Sequence, residues 1–143
     1  MSVVIATEII IAATPKQVWD VLADFSSYGE WSNFSKIDGA PQPGTRLAMK
    51  MPGMSFGSTV TAATPEQKLE WAATIINESV FCGRHTFVLT PNPDGSTHLA
   101  NVETFSGALV WPLRGMFKQN EKRRANGYDG FNQALKRRVE SRN

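Results

Sequence analysis

Two histidines, one cysteine and no phosphate-binding loop narrow the chemistry open to this 143-residue chain. Of the histidines, His85 stands in the more telling place. A hairpin turning through residues 92–94 and pairing symmetrically sets His85 opposite Glu103, Phe87 opposite Asn101 and Leu89 opposite Leu99. Phe87, Leu89 and Leu99 mark that face as inward. A carboxylate beside an imidazole stabilises the imidazolium and raises its pKa toward neutrality, which suits a general acid or base. His85 and Glu103 are therefore the candidate catalytic residues. The competing reading is a structural cross-strand ion pair near the sheet rim, and a one-residue slip in register would separate the two. His98, beside the turn, is expected to be solvated.

A second constellation lies toward the C-terminus. Asn120 and Arg124 fall within the angular sector of an apolar helical stripe, between Phe117 and Tyr128. Burying an unpaired guanidinium is expensive, so Arg124 must snorkel to water or meet an anion or acceptors. Asn120, Arg124 and the Tyr128 hydroxyl thus form a candidate polar patch for a ligand carboxylate, phosphate or carbonyl. Against it stands a helix end rotated to solvent, with Arg124 paired to a strand carboxylate.

The third set is apolar. Trp31, Phe34, Met49, Trp71, Phe87 and Phe105 are candidate ligand contacts from the sheet and its preceding turn, and Met116 and Phe117 from the helix. Met51, Met54, Phe56, Phe81 and Trp111 extend the group. Four tryptophans and five methionines in a small domain can line an adaptable apolar pocket, and they serve equally as ordinary core. Met54 and Trp111, each in a connecting segment, are candidate gates.

The remaining chemistry is excluded more easily. No HExxH or GxSxG stretch is present. Two histidines and one cysteine are too few for a protein-only zinc site, leaving only mixed His/carboxylate arrangements open. No metal and no cofactor are expected. Cys82, next to Gly83, reads as a small buried hydrophobe rather than a nucleophile, and a single cysteine forms no internal disulfide.

The elements that must position these residues are legible from periodicity. Residues 3–11 are β-branched and nearly all apolar, as in a covered strand. Thr14, Pro15 and Gln17 then spell a helix start, and Val18, Val21, Leu22 and Phe25 keep one helical face through residue 25. A further helical turn over 26–32 presents Tyr28 and Trp31. From Phe34 onward, strands alternate with Gly/Pro turns: 45–51, 55–63, 68–76, 80–90 and 96–106. A long helix over 112–139 closes the chain, with Leu113, Phe117, Tyr128, Phe131, Leu135 and Val139 on one stripe. Gly127 and Gly130 within it mark a bend or a close approach to the sheet.

This order predicts an α+β architecture. A curved antiparallel sheet of about seven strands wraps round a long C-terminal helix, with two short helices after the first strand. The length suits one domain over residues 1–143, since domains commonly run ~100–150 residues. The segment Ala13-Thr-Pro-Lys-Gln-Val-Trp-Asp-Val-Leu-Ala-Asp-Phe25, with Tyr28-Gly-Glu-Trp31 and Phe34, resembles the START-related helix-grip superfamily. Gly83-Arg-His-Thr-Phe-Val-Leu89 and Glu103-Thr-Phe-Ser-Gly107 resemble its bacterial polyketide cyclase/dehydratase and lipid-transport-like group. The resemblance spans essentially the whole chain and implies a deep pocket for a hydrophobic small molecule.

Two functions follow as expectations. One is a carrier that buries a lipid-, polyketide- or aromatic-like molecule between sheet and helix. The other is a cofactor-independent cyclase, dehydratase or hydrolase using His85 and Glu103 in the same cavity. From Arg114 onward nine basic residues face three acidic ones, which allows transient contact with an anionic membrane or simply solubilises a helix face. No apolar run approaches the ~18 residues needed to span a membrane, and Glu8 interrupts any signal-like N-terminus. A cytoplasmic monomer or homodimer is expected. Nucleic-acid binding is not, because no aromatic-basic stacking platform appears.

Overall fold

Thr14 turns the chain from strand to helix. In the computed structural model, which describes residues 2–119 and 121–142 and leaves the side chains of 117–126 undescribed, its hydroxyl accepts the Gln17 amide at 3.2 Å. The Gln17 side-chain carbonyl accepts the Thr14 amide at 2.8 Å in return, the reciprocal box that Thr-Pro-Lys-Gln encodes. β1 (Ser2–Ile11) therefore passes directly into α1 (Pro15–Leu22), whose buried face is Val18, Val21 and Leu22. The helix stops short of the expected residue 25. A 3-10 turn over Phe25–Ser27 and the single-turn α2 (Tyr28–Trp31) follow. Tyr28 is not presented outward: it is fully buried, and its hydroxyl donates to the Leu22 carbonyl.

The remaining strands are β2 (Lys36–Asp38), β3 (Arg46–Met51), β4 (Met54–Thr64), β5 (Lys68–Ile75), β6 (Phe81–Pro91) and β7 (Thr97–Ser106). They form one seven-stranded sheet in the order β1-β7-β6-β5-β4-β3-β2, antiparallel throughout. The expected curved sheet and helix-grip order are thus present, and the sheet stays open. A register shift between Val60 and Ala62 breaks the β4–β5 ladder, a device that sharpens local twist. β1 is a long edge strand, and side chains from the C-terminal helix occupy part of its free edge. The Lys136 ammonium donates to the Ile10 carbonyl at 3.0 Å, and the Ala12 amide donates to the Glu140 carboxylate at 3.4 Å.

The C-terminal helical region comprises α3 (Val110–Gln119) and α4 (Glu121–Glu140). Phe131, Leu135 and Val139 of α4 are buried with α1, α2 and the sheet in the main core. A smaller cluster of Ile5, Phe105 and Val110, joined by Val3, Phe81 and Tyr128, lies beneath α3. The expected stripe does not hold along its whole length. Leu113 is 38% exposed and Met116 46% exposed, because α3 packs chiefly on the edge strand β1 and on α4 rather than over the middle of the sheet. Of the two readings of Gly127 and Gly130, a bend or a close approach to the sheet, the second does not hold. A Cβ on either would meet nothing within 4 Å, so neither marks a close approach to the sheet.

The loop ahead of α3 is pinned. Gly107 takes φ +106°, and a Cβ there would fall 2.6 Å from the Val80 carbonyl oxygen. The Ala108 and Leu109 amides donate to the Ser79 and Val80 carbonyls at 2.8 and 3.0 Å. The β5–β6 and β7–α3 connections are therefore tied to each other.

Candidate functional site

β6 and β7 pair in the register read from the hairpin, with His85 opposite Glu103, Phe87 opposite Asn101 and Leu89 opposite Leu99. Alternation sends Arg84 to the outer face, where it meets Glu70 at 3.0 Å, and His85 to the concave face. There His85 Nδ1 lies 3.3 Å from Glu103 Oε2, and both side chains are nearly covered. The imidazole stacks on Phe87 at 4.6 Å and 18°, approaches Trp71 at 5.2 Å, and meets the Tyr128 ring edge-on at 5.5 Å. The pair thus lies between the second and third strands of the sheet, where the two hydrophobic clusters meet.

Burial reverses the expected electrostatics. The neighbouring carboxylate was expected to raise the His85 pKa. Instead, loss of solvent pushes it down to about 4, and the hydrogen bond to Asn101 opposes that shift only in part. The imidazole is therefore neutral near pH 7.

Three residues that sequence reasoning did not single out complete this arrangement. His85 Nε2 is 2.6 Å from the Asn101 side-chain oxygen. The Asn101 amide nitrogen donates to the Asn132 side-chain oxygen at 2.8 Å, and the Asn132 amide nitrogen donates to the Thr7 hydroxyl at 3.0 Å. The Thr7 hydroxyl donates to the Asn101 carbonyl at 3.0 Å, closing the chain. Asn101 and Asn132 are both essentially inaccessible. A signal for Asn132 existed, since it lies four residues after Tyr128 and three before Leu135, within the apolar stripe.

The apolar candidates divide between two places. Phe34, Met49, Trp71 and Phe87 are buried in the main core, where Phe34 and Phe87 pack against Phe131 at 6.4 and 5.5 Å. The Met49 sulfur accepts the Ser58 hydroxyl at 3.0 Å. Trp31 is partly buried, 5.2 Å from Phe131, and its indole N–H has no partner among the described residues. Phe105 belongs to the smaller cluster, 5.9 Å from Phe81. Met116 points outward, as do Met54 and Trp111, and the Arg114 guanidinium lies 3.8 Å over the Trp111 ring. The side chains of Phe117, Asn120 and Arg124 lie outside the described residues, so the expected polar patch is represented by Tyr128 alone.

Other features are structural. His98 is paired with Glu8 at 2.9 Å rather than simply solvated. Burial pushes the Cys82 thiol pKa up, in keeping with an inert packed sulfur. Among the described residues no group of three or more His, Cys, Asp or Glu side chains could hold a metal ion, and no helix is long and apolar enough to cross a membrane. Two open grooves, of about 700 and 720 Å³, lie along β3–β4 by Arg46 and Lys50 and beside the β4–β5 turn at Pro65 and Lys68. Neither reaches His85, Glu103 or Tyr128.

An open antiparallel sheet gripping a C-terminal helix defines the helix-grip class. Within it the chain belongs to the polyketide cyclase / dehydrase and lipid transport family, whose model matches residues 2–140. Among solved structures it is similar to protein MLL2253 from Mesorhizobium loti, at 25% identity and TM-score 0.73, covering 99% of this chain and 98% of that one. Norcoclaurine synthase from Thalictrum flavum, solved with dopamine and hydroxybenzaldehyde, shares the fold at 14% identity and TM-score 0.73, covering 100% and 89%. The di-domain ARO/CYC protein StfQ of the steffimycin biosynthetic pathway does so at 14% and TM-score 0.77, covering 99% of this chain and 52% of StfQ. No curated protein matches the sequence. Family membership supports a ligand-binding or cyclase role.

Proposed function

We propose that the protein binds a hydrophobic small molecule of lipid, polyketide or aromatic type between the sheet and the α3 end of the helical layer. The observation that carries this reading is the placement of His85 and Glu103. A dry His–carboxylate pair on the concave face stabilises the fold less than apolar side chains of the same volume. Ionisable groups with shifted pKa values in such places cluster at functional sites. Burial of ligand surface would supply affinity at ~25 cal/mol per Å², and the pair would fix orientation.

Native mass spectrometry of the purified protein, followed by titration with fatty acids, aromatic polyketides and sterols, tests the reading. Trp71, 5.2 Å from the His85 ring, is the fluorescent reporter. A co-purified compound or a saturable change in emission is the expected result. An empty protein indifferent to the whole panel overturns it.

The same pair favours a second reading, a cofactor-independent cyclase or dehydratase in which His85 and Glu103 exchange a proton with the bound molecule. His85→Ala separates the two. A carrier keeps its affinity and has no turnover to lose, whereas an enzyme keeps its affinity and loses at least ~100-fold in rate.

A further inference from the structure

The hydrogen bonds around His85 have a direction. The Thr7 hydroxyl has one proton and spends it on the Asn101 carbonyl, so its oxygen can only accept from Asn132. That fixes the Asn132 amide with its oxygen toward Asn101, and the Asn101 amide in turn with its oxygen toward His85. An oxygen 2.6 Å from Nε2 requires a proton on Nε2. In a neutral imidazole Nδ1 is then bare, and it is Nδ1 that lies 3.3 Å from the Glu103 carboxyl. Two acceptors this close, in surroundings of low dielectric, are reconciled by one proton between them.

We propose that Thr7, Asn132 and Asn101 are positioning residues that hold His85 as the Nε2–H tautomer, so that Nδ1 and Glu103 together make a site for a single proton. The proton resides either on Glu103, leaving both groups neutral, or on Nδ1, giving imidazolium and carboxylate. The total charge is the same in both forms. Loss of solvent around His85 favours the neutral form, in which the Glu103 carboxyl donates to Nδ1. The relay ties this state to three elements, since Thr7 is on β1, Asn101 on β7 and Asn132 on α4. Docking of α4 on the sheet and selection of the tautomer are thereby one event. From the proposed function this inference takes only the relevance of the pair, and its test needs no ligand, so either can fail without the other.

Long-range proton–nitrogen correlation spectra of the intact protein with ¹⁵N-labelled histidine, near neutral pH, read the tautomer directly. The wild type is expected to show a protonated Nε2 and an unprotonated, hydrogen-bonded Nδ1. Thr7→Val removes the anchoring hydroxyl at constant shape and frees the amides to reverse. It is expected to raise the Nδ1–H population about fivefold to tenfold, as loss of one hydrogen bond implies, and Thr7→Ser is expected to restore it. A wild-type spectrum with Nε2 unprotonated and the proton on Nδ1 overturns the proposal, as does a Thr7→Val spectrum identical to the wild type.

Discussion

The two ends of the helical layer solve different problems. At the α4 end, Phe131, Leu135 and Val139 close against Tyr28, Phe34, Trp71 and Phe87 in a continuous aromatic core. At the α3 end Val110 is the buried side chain among the described residues, over a small patch of Ile5 and Phe105, while Leu113, Met116 and Trp111 face out. The polar pair sits where the two meet. Among the described residues the larger buried cluster lies at the α4 end, so truncations there are expected to cost more than truncations on α3.

The largest test of that contrast is a pair of truncations. Phe131→Ala is expected to destabilise by about 3–5 kcal/mol in denaturant unfolding, as for large-to-small changes in a closed core. Leu113→Ala, at a position 38% exposed, is expected to change stability by less than about 1 kcal/mol. Equal losses would erase the distinction.

The next effect is at the junction. An unfolded histidine takes up its proton near pH 6.5, whereas folded His85 resists until about pH 4. Between those values the unfolded chain binds more protons than the native one, so stability falls on acidification through that window and rises with pH. The span corresponds to roughly 3 kcal/mol. Comparing unfolding of the wild type and His85→Gln at several pH values isolates it, and parallel curves would mean that His85 is not desolvated.

The smallest effect is on α4. Gly127 and Gly130 face open space, so Ala at either position is expected to add about 0.5–1 kcal/mol to thermal stability through helix propensity alone. A loss at either site would place an unexpected neighbour over the helix.

Much of this arrangement is readable before any coordinates. Pro-Asn-Pro-Asp-Gly fixes the centre of the β6–β7 hairpin, and that centre alone puts His85 across from Glu103. Thr14 and Gln17 announce their helix because capping is local. What periodicity could not supply is depth. The sign of the His85 shift depends on how thoroughly Phe87, Trp71 and Tyr128 enclose the ring, and those three lie on three different elements. The relay was hidden for a related reason: Thr7 and Asn132 are 125 residues apart in sequence, and single polar residues within apolar stripes look like interruptions. Leu113 misled in the opposite direction. It keeps the helical spacing of the stripe, but the period says nothing about where the sheet beneath it ends.

One feature at the far end of the molecule bears on how copies of the chain coexist. The outermost backbone groups around Ile10 and Ala12 are a template onto which another chain's strand could be laid. Lys136 and Glu140 occupy them and are themselves an ion pair on successive turns of α4. An intruding strand must therefore strip away two side chains whose charges already satisfy each other. At this end of β1 the terminal helix covers the sheet edge as well as gripping the sheet.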